Sequence, residues 1–244
     1  MKRTKSKKKL TDIFSQNKSF VAIILCLSIL GSLETLTRNR VWKNEYLLFS
    51  TDVQNAPHNA RLHYWYADEM RARGEGAQTS VEKMKFIDVA ISEFDKALEI
   101  YPEFPDAYAE RGLAYYAKDD KQHAASDYKR AIDLKAGNWE VPNNLGVVYA
   151  EQSRFDEAIE YFKRALERDY RFPEPYKNIA NVYFLRGDCD TAIEKYFEAL
   201  KYVTAADSAL QEEIYSRLSL CYERKGDPAN QQKYAALAQG AVKK

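Results

Sequence analysis

The sequence predicts an all-α protein built from about five tandem helix-turn-helix repeats, which follow one membrane-spanning helix near the N-terminus. Three observations support this prediction. Only 16 of the 244 residues are Gly or Pro whereas 18 are Tyr, so turn residues are scarce and large amphipathic side chains are abundant. Beyond residue 55, small and aromatic residues recur with a period of 34. One uncharged stretch of 14 residues, 20–33, lies near the start of the chain.

The first 18 residues form a basic segment, which holds seven of the 37 Lys and Arg residues and one of the 36 Asp and Glu residues. The rest of the chain carries 30 basic and 35 acidic residues and has no basic stripe, which argues against nucleic acid as a partner. Because positive charge beside a membrane span favours the cytoplasmic side, we expect segment 1–18 to lie in the cytoplasm.

The uncharged stretch is shorter than the ~20 residues that cross a hydrocarbon core, and the core of a signal peptide or a buried helix also has this length. A cleaved signal peptide requires small residues at its cleavage site. Gly31 and Ser32, which lie between Leu30 and Leu33, match this requirement poorly. We therefore predict an uncleaved membrane anchor over residues 19–37, with the repeats outside the cytoplasm.

Residues 38–57 predict a linking helix between the anchor and the repeats. Phe49 precedes Pro57 by eight residues, as Phe94 precedes Pro102 at the end of a repeat. We interpret the segment as half a repeat, an unpaired second helix that seals the first unit.

Ladders of small and aromatic residues define the repeats. Within 143–165 apolar residues are three and four positions apart, which predicts two short helices, and a Gly or Ala on one helix leaves room for a ring of the other. The residues assigned to this packing are Gly112, Tyr115, Ala124, Ala131, Leu145, Gly146, Tyr149, Ala158, Phe162, Ala165, Ala180, Tyr183, Ala192, Tyr196 and Ala199. We expect Gly187-Asp188 and Gly226-Asp227 to end one helix and cap the next.

The spacing of Leu145, Gly146, Tyr149, Ala158 and Phe162 resembles the pattern of the tetratricopeptide repeat family. This resemblance implies a right-handed superhelix whose concave groove binds proteins or peptides. The predicted domain covers 58–244, with units at 58–104, 105–138, 139–172, 173–206 and 212–244. In the first unit Pro57 and Pro102 are 45 residues apart, 11 more than the period, and we expect the excess, 71–81, to form a solvated loop. The last unit is degenerate and is interpreted as a cap.

Five residues of the predicted first helices are candidate ligand-groove residues: Asn143, Asn144, Lys177, Asn178 and Asn181. Asn144 and Asn178 are 34 residues apart, and an amide both donates to and accepts from a peptide backbone. This pair is similar to the asparagine ladder of O-linked glycosyltransferases. Lys177 with Asn181 is similar to part of the carboxylate clamp of chaperone-binding repeats, although the next unit supplies no basic partners for a full clamp. The alternative is that these residues are only solvated.

The anchor, the motif R-N-x-x-W-K-x-E-x-x-L-F in residues 38–49 and the repeats together resemble the C-terminal part of transmembrane and tetratricopeptide-repeat-containing O-mannosyltransferases. This resemblance implies that the repeats present acceptor proteins while a multi-span domain transfers the sugar. One span supplies no membrane-embedded pocket, so we expect this chain not to be an enzyme by itself. Three functions stay open: a membrane-anchored module for protein–protein interaction, an accessory or split part of a polytopic membrane glycosyltransferase, and an envelope assembly scaffold.

No set of residues predicts catalysis, a cofactor or a metal site. Asp188 and Asp190 form a D-x-D motif, but the motif lies at a turn between helices, where capping explains it. The three histidines lack the spacing of metal ligands. An oxidising compartment would permit a disulfide between Cys189 and Cys221, and we favour two free buried thiols.

Overall fold

The computed structural model describes residues 45–204 and 206–241, and these residues form eleven helices and no strand. The all-α prediction is confirmed for this part of the chain. The predicted basic segment, the anchor over 19–37 and residues 38–44 of the linking helix lie outside the described residues. Among the described helices, none combines the length and the apolar character that a membrane span requires.

Ten helices form five successive pairs, here called units 1 to 5, and each pair consists of a first helix and a second helix. Helix α1 (Glu45–Asn55) precedes them. The pairs are α2 (Ala60–Glu75) with α3 (Ser80–Ile100), α4 (Pro105–Ala117) with α5 (Lys121–Asp133), α6 (Glu140–Glu151) with α7 (Phe155–Arg168), α8 (Pro173–Leu185) with α9 (Cys189–Leu200), and α10 (Ser208–Arg224) with α11 (Pro228–Ala241).

Glycine on a first helix faces an aromatic ring of the second helix in units 2 and 3. A Cβ added to Gly112 would lie 2.7 Å from the ring of Tyr128, and one added to Gly146 would lie 2.6 Å from the ring of Phe162. Only a residue without a side chain permits this approach, so size complementarity sets the distance between the paired helices. Of the fifteen residues assigned to repeat packing, Tyr115 and Tyr183 are partly exposed and the other thirteen are buried.

The turns inside units 4 and 5 combine a left-handed glycine with a capping aspartate, as predicted. Gly187 and Gly226 have φ angles of 83° and 70°. The carboxylates of Asp188 and Asp227 accept hydrogen bonds from the backbone N–H three residues later, at 3.0 and 3.1 Å. The glycine therefore ends the first helix, and the aspartate satisfies a free N–H at the start of the second.

Unit 1 does not contain the predicted solvated loop. The segment 71–81 is helical except at 76–79, because α2 and α3 both extend into it. Ion pairs one turn apart support the extension of α2. Gly74, which lies within the predicted loop, packs on α3, where a Cβ would lie 3.0 Å from Cδ1 of Ile87. Packing between the two helices therefore outweighs the local turn signal.

The two ends of the stack are closed differently. At the N-terminal end α1 packs against α2, with 6.1 Å between the ring centroids of Phe49 and Trp65. At the C-terminal end α10 begins at Ser208, ahead of the predicted start of unit 5 at residue 212. Just before α10, the Asp207 carboxylate accepts hydrogen bonds from the N–H and the hydroxyl of Thr204, at 2.9 and 2.7 Å.

Candidate functional site

The first helices form the inner layer of the stack. First helices of neighbouring units contact each other, as α2 contacts α4 and as α8 contacts both α6 and α10. In a curved array of repeats the layer whose members approach one another lies on the concave side. We call its half-exposed surface the inner groove. Glu110, Asn144 and Asn178 recur along it with the period of 34 and are all partly exposed.

Asn143 and Asn178 bridge units 3 and 4. The Nδ2 of Asn178 donates a hydrogen bond to Oδ1 of Asn143 at 2.9 Å. Asn143 is only 7% exposed, whereas Asn178 remains partly exposed. The buried amide therefore orients the amide in the groove, which keeps its carbonyl oxygen and a second N–H for other partners.

Lys177 and Asn181 also have partners within the chain. Lys177 Nζ lies 2.9 Å from Oε2 of Glu213 and joins α8 to α10. Asn181 Oδ1 accepts a hydrogen bond from the hydroxyl of Tyr196 at 2.5 Å. A carboxylate clamp would have a basic residue at this position of unit 5. The chain has Glu213 there, and its carboxylate neutralises Lys177.

Asn144 lines a cavity between units 2 and 3 and has no side-chain hydrogen bond within the described residues. The cavity has a volume of about 290 Å³, and we call it the Tyr128 cavity. Its lining consists of Ala109, Glu110, Leu113, Tyr128, Asn138, Glu140, Val141 and Asn144. The lining includes two carboxylates and no Lys or Arg.

The charge around Glu110 is incompletely neutralised. Arg71 Nε lies 2.9 Å from Oε2 of Glu110, but outside hydrogen-bond geometry, so both buried atoms lack a hydrogen-bond partner in the part of the chain that the structure describes. The same guanidinium also pairs with Asp68 and Glu75, at 2.9 and 2.5 Å. Burial raises the pKa of the Glu110 carboxyl above its usual range; Arg71 lowers it, and the surrounding carboxylates, including Glu140, raise it further.

Tyr128 and Tyr196 occupy equivalent positions in units 2 and 4, but their hydroxyl groups differ in bonding. Both side chains are buried. The Tyr196 hydroxyl donates to Asn181, whereas Tyr128 has Leu113 at the corresponding position, and its buried hydroxyl has no hydrogen-bond partner within residues 45–204 and 206–241. Sequence reasoning did not find this difference. Comparing residues 113 and 181, two periods apart, would have revealed it.

Comparison with protein families gives the repeat type. A tetratricopeptide repeat model matches residues 83–138, and a second tetratricopeptide repeat model matches residues 140–202. This chain carries tetratricopeptide repeats. The matches extend from α3 through α9 and cover the units whose glycines, alanines and rings define the period of 34.

Relatives share part of this repeat domain. The chain is 32% identical over 116 residues to the STIP1 homolog of Dictyostelium discoideum, which is 44% of this chain and 21% of that protein. It is 32% identical over 89 residues to the protein O-mannosyl-transferase TMTC1 of Mus musculus, which is 36% of this chain and 8% of that protein. The chain thus spans a small part of the length of these relatives.

Solved structures show the same fold at low sequence identity. PilW, described as a widely conserved type IV pilus biogenesis factor, has a TM-score of 0.64 and 19% identity, with coverage of 85% of this chain and 89% of that one. YrrB, described as a TPR protein with an unusual peptide-binding site, has a TM-score of 0.60 and 17% identity, with coverage of 79% and 91%. These likenesses show the tetratricopeptide-repeat fold.

A buried histidine near the start of the repeats was not predicted as an interacting residue. His63 is 5% exposed, and its Nδ1 lies 2.6 Å from Oε2 of Glu93, which is 8% exposed. Its Nε2 lies 3.1 Å from the carbonyl oxygen of Pro57, just after α1. The pair therefore ties α2 to α3 and to the end of the linking helix, beside a cavity of about 820 Å³.

The two cysteines of the repeats are buried, and the carboxylates of the D-x-D motif have partners within the fold. Cys189 and Cys221 are free and buried, and burial, with the neighbouring Cys189 thiol, raises the pKa of Cys221 to about 12. Asp188 caps α9 and Asp190 pairs with Lys225, so the two carboxylates of the D-x-D motif have separate partners. Among residues 45–204 and 206–241, no three His, Cys, Asp or Glu side chains are grouped so that they could share a metal ion.

Proposed function

We propose that this chain is a non-catalytic protein-interaction module whose inner groove binds an extended peptide segment of a partner. The observation that carries the proposal is the pair of amides at equivalent slots of units 3 and 4. The Asn144 side chain has no hydrogen bond to any other described residue, and Asn178 is oriented by the buried Asn143. Two amides spaced by one repeat, one of them held in place, can bond to a peptide backbone whatever its side chains are.

The remaining predicted groove residues have supporting roles in this proposal. Asn143 positions Asn178 from beneath, since it is too buried to contact a ligand. Lys177 and Asn181 fix α8 against α10 and α9 through their contacts with Glu213 and Tyr196. YrrB offers a precedent for peptide binding by the same fold.

The test is a crosslinking pull-down from membranes, with the full-length chain and with the double variant Asn144→Ala and Asn178→Ala. Gln232→Ala, an exposed amide on the outer helix α11, is the matched control. We expect the double variant to lose its co-purifying proteins while its helicity and Tm stay close to those of the native chain, and we expect the control to keep them. Binding that is unaltered in the double variant would disprove a groove site and favour a scaffold that binds through its outer face.

A second candidate function is an accessory part of a polytopic membrane glycosyltransferase. The likeness to 89 residues of the O-mannosyl-transferase TMTC1 supports it. We propose with it that residues 19–37 anchor the chain and that the repeats lie outside the cytoplasm. Recovery of a multi-span transferase in the same pull-down would support this candidate, and a C-terminal reporter that is active only outside the cytoplasm would test the orientation.

A further inference from the structure

The Tyr128 cavity contains hydrogen-bonding capacity that the fold does not use. Tyr128 is 1% exposed, and its hydroxyl has no hydrogen-bond partner among the described residues. Oε2 of Glu110, another lining residue, is also buried; it lies 2.9 Å from Arg71 Nε but accepts no hydrogen bond from the described part of the chain. Leaving such groups unpaired costs free energy, so a site that keeps them is complementary to a ligand that supplies donors.

The charge in and around the cavity is negative. Arg71 divides its positive charge among three carboxylates, namely Glu110, Asp68 and Glu75. Glu140 adds a fourth carboxylate to the lining, and it accepts a hydrogen bond from the neutral amide of Asn138 at 2.7 Å. Three carboxylates therefore share one guanidinium and the fourth bonds to a neutral amide, so a cationic donor is favoured over a neutral one.

The size and position of the cavity fit a side chain of a bound peptide. Its volume of about 290 Å³ is at the lower end of the range for small-molecule pockets, which suits a single long side chain. Asn144 lines its edge and belongs to the proposed backbone-binding pair. A peptide held by that amide would therefore have its neighbouring side chain at the mouth of the cavity.

We infer that the Tyr128 cavity is a subsite for a lysine or arginine side chain of the bound peptide. The ammonium or guanidinium donates to Glu110 and Tyr128, while Glu140 and Asn144 supply further acceptors at the rim. The inference rests on the proposed peptide-binding function and adds to it a preference for a basic residue at one position of the peptide.

The experiment selects peptides from a phage-displayed random library on the full-length chain in detergent and measures their affinities by fluorescence anisotropy. We expect the selected peptides to share a Lys or Arg at one position. Replacing that residue by norleucine, which keeps the length of lysine and removes its charge, should weaken binding about 10- to 100-fold, the value of a hydrogen bond to a charged group.

The protein variants are Glu110→Gln, Tyr128→Phe and the control Glu167→Gln, which removes an exposed carboxylate of α7 and changes the net charge equally. Glu110→Gln should weaken binding of the basic peptide by the same factor and leave the norleucine peptide unaffected. Tyr128→Phe should weaken the basic peptide without lowering Tm. Glu167→Gln should change neither affinity.

Two failures are distinguishable. Selected peptides that share no basic residue, or that bind Glu110→Gln as tightly as the native chain, would overturn the basic subsite, while their sensitivity to Asn144→Ala and Asn178→Ala would retain the groove. Absence of any selected peptide, or binding insensitive to all of these substitutions, would overturn the groove and the subsite together.

Discussion

Tyr128 and Tyr196 lie at equivalent positions on the second helices of units 2 and 4, and replacing each by Phe removes one buried hydroxyl from a closely similar environment. Their exposed fractions are 1% and 0%. The Tyr196 hydroxyl donates to Asn181, so Tyr196→Phe should lower the free energy of unfolding by about 1 kcal/mol, the net value of a typical hydrogen bond. The Tyr128 hydroxyl has no partner among the described residues, so Tyr128→Phe should raise the free energy of unfolding by about 1 kcal/mol.

The difference between the two variants, about 2 kcal/mol, reports on the hydrogen bond, because each substitution removes only a hydroxyl and keeps the ring. Urea unfolding of the full chain, followed by far-UV circular dichroism, measures it, and in a domain of this size each 1 kcal/mol shifts Tm by about 2–4 °C. Phe162 occupies the equivalent position in unit 3, so the slot accepts phenylalanine. Equal destabilisation by the two substitutions would show that the Tyr128 hydroxyl does have a hydrogen-bond partner.

Three further predictions concern packing, a buried pair and thiol reactivity. Gly146→Leu should lower the free energy of unfolding by at least about 1–3 kcal/mol, measured in urea, because even a Cβ there would lie 2.6 Å from a buried ring. His63→Ala should lower the free energy of unfolding by about 2 kcal/mol, because Oε2 of the buried Glu93 loses its partner while Oε1 keeps Lys96, and limited proteolysis should then cut near the end of α1. Cys221 in the native chain should react with maleimide far more slowly than a model thiol, because burial raises its pKa to about 12.

The first two of these predictions have matched control variants. Gly137→Leu, at an exposed position with no atom within 4 Å of an added Cβ, should be tolerated, and equal effects at the two glycines would contradict the proposed helix packing. His58→Ala removes an exposed imidazole and should leave the proteolysis pattern unchanged. Rapid labelling of Cys221 without urea would show that the interface between units 4 and 5 opens readily.

The sequence predicts the repeat fold well because its strongest signal is steric. Gly146 and Phe162 must face each other, and the same size pattern repeats every 34 residues, so the helix pairs and their order follow from the spacing. The loop predicted at 71–81 is wrong for the opposite reason. The glycines there favour a turn locally, but Gly74 gains contacts with Ile87 on the neighbouring helix, and such a long-range contact has no local signature.

The sequence predicts which positions of the repeats the candidate site residues occupy, but it does not predict which residues they contact. Asn144 and Asn178 lie on the inner layer because the period places them there. The bond from Asn178 to Asn143 and the ion pair between Lys177 and Glu213 join residues 35 and 36 positions apart, and they depend on rotamers that a period cannot give. The sequence did not predict that the Tyr128 hydroxyl lacks a hydrogen-bond partner among the described residues, because a missing partner leaves no pattern in the sequence.

Site-specific photocrosslinking tests the central claim, peptide binding in the inner groove, most directly. A photoreactive phenylalanine analogue replaces Leu185, which is 60% exposed and lies two turns from Asn178 on the same face of α8, or Glu167 on the outer helix α7. We expect crosslinks to partner peptides from position 185 that disappear with Asn144→Ala and Asn178→Ala, and none from position 167. Crosslinks from position 167 alone would contradict peptide binding in the inner groove.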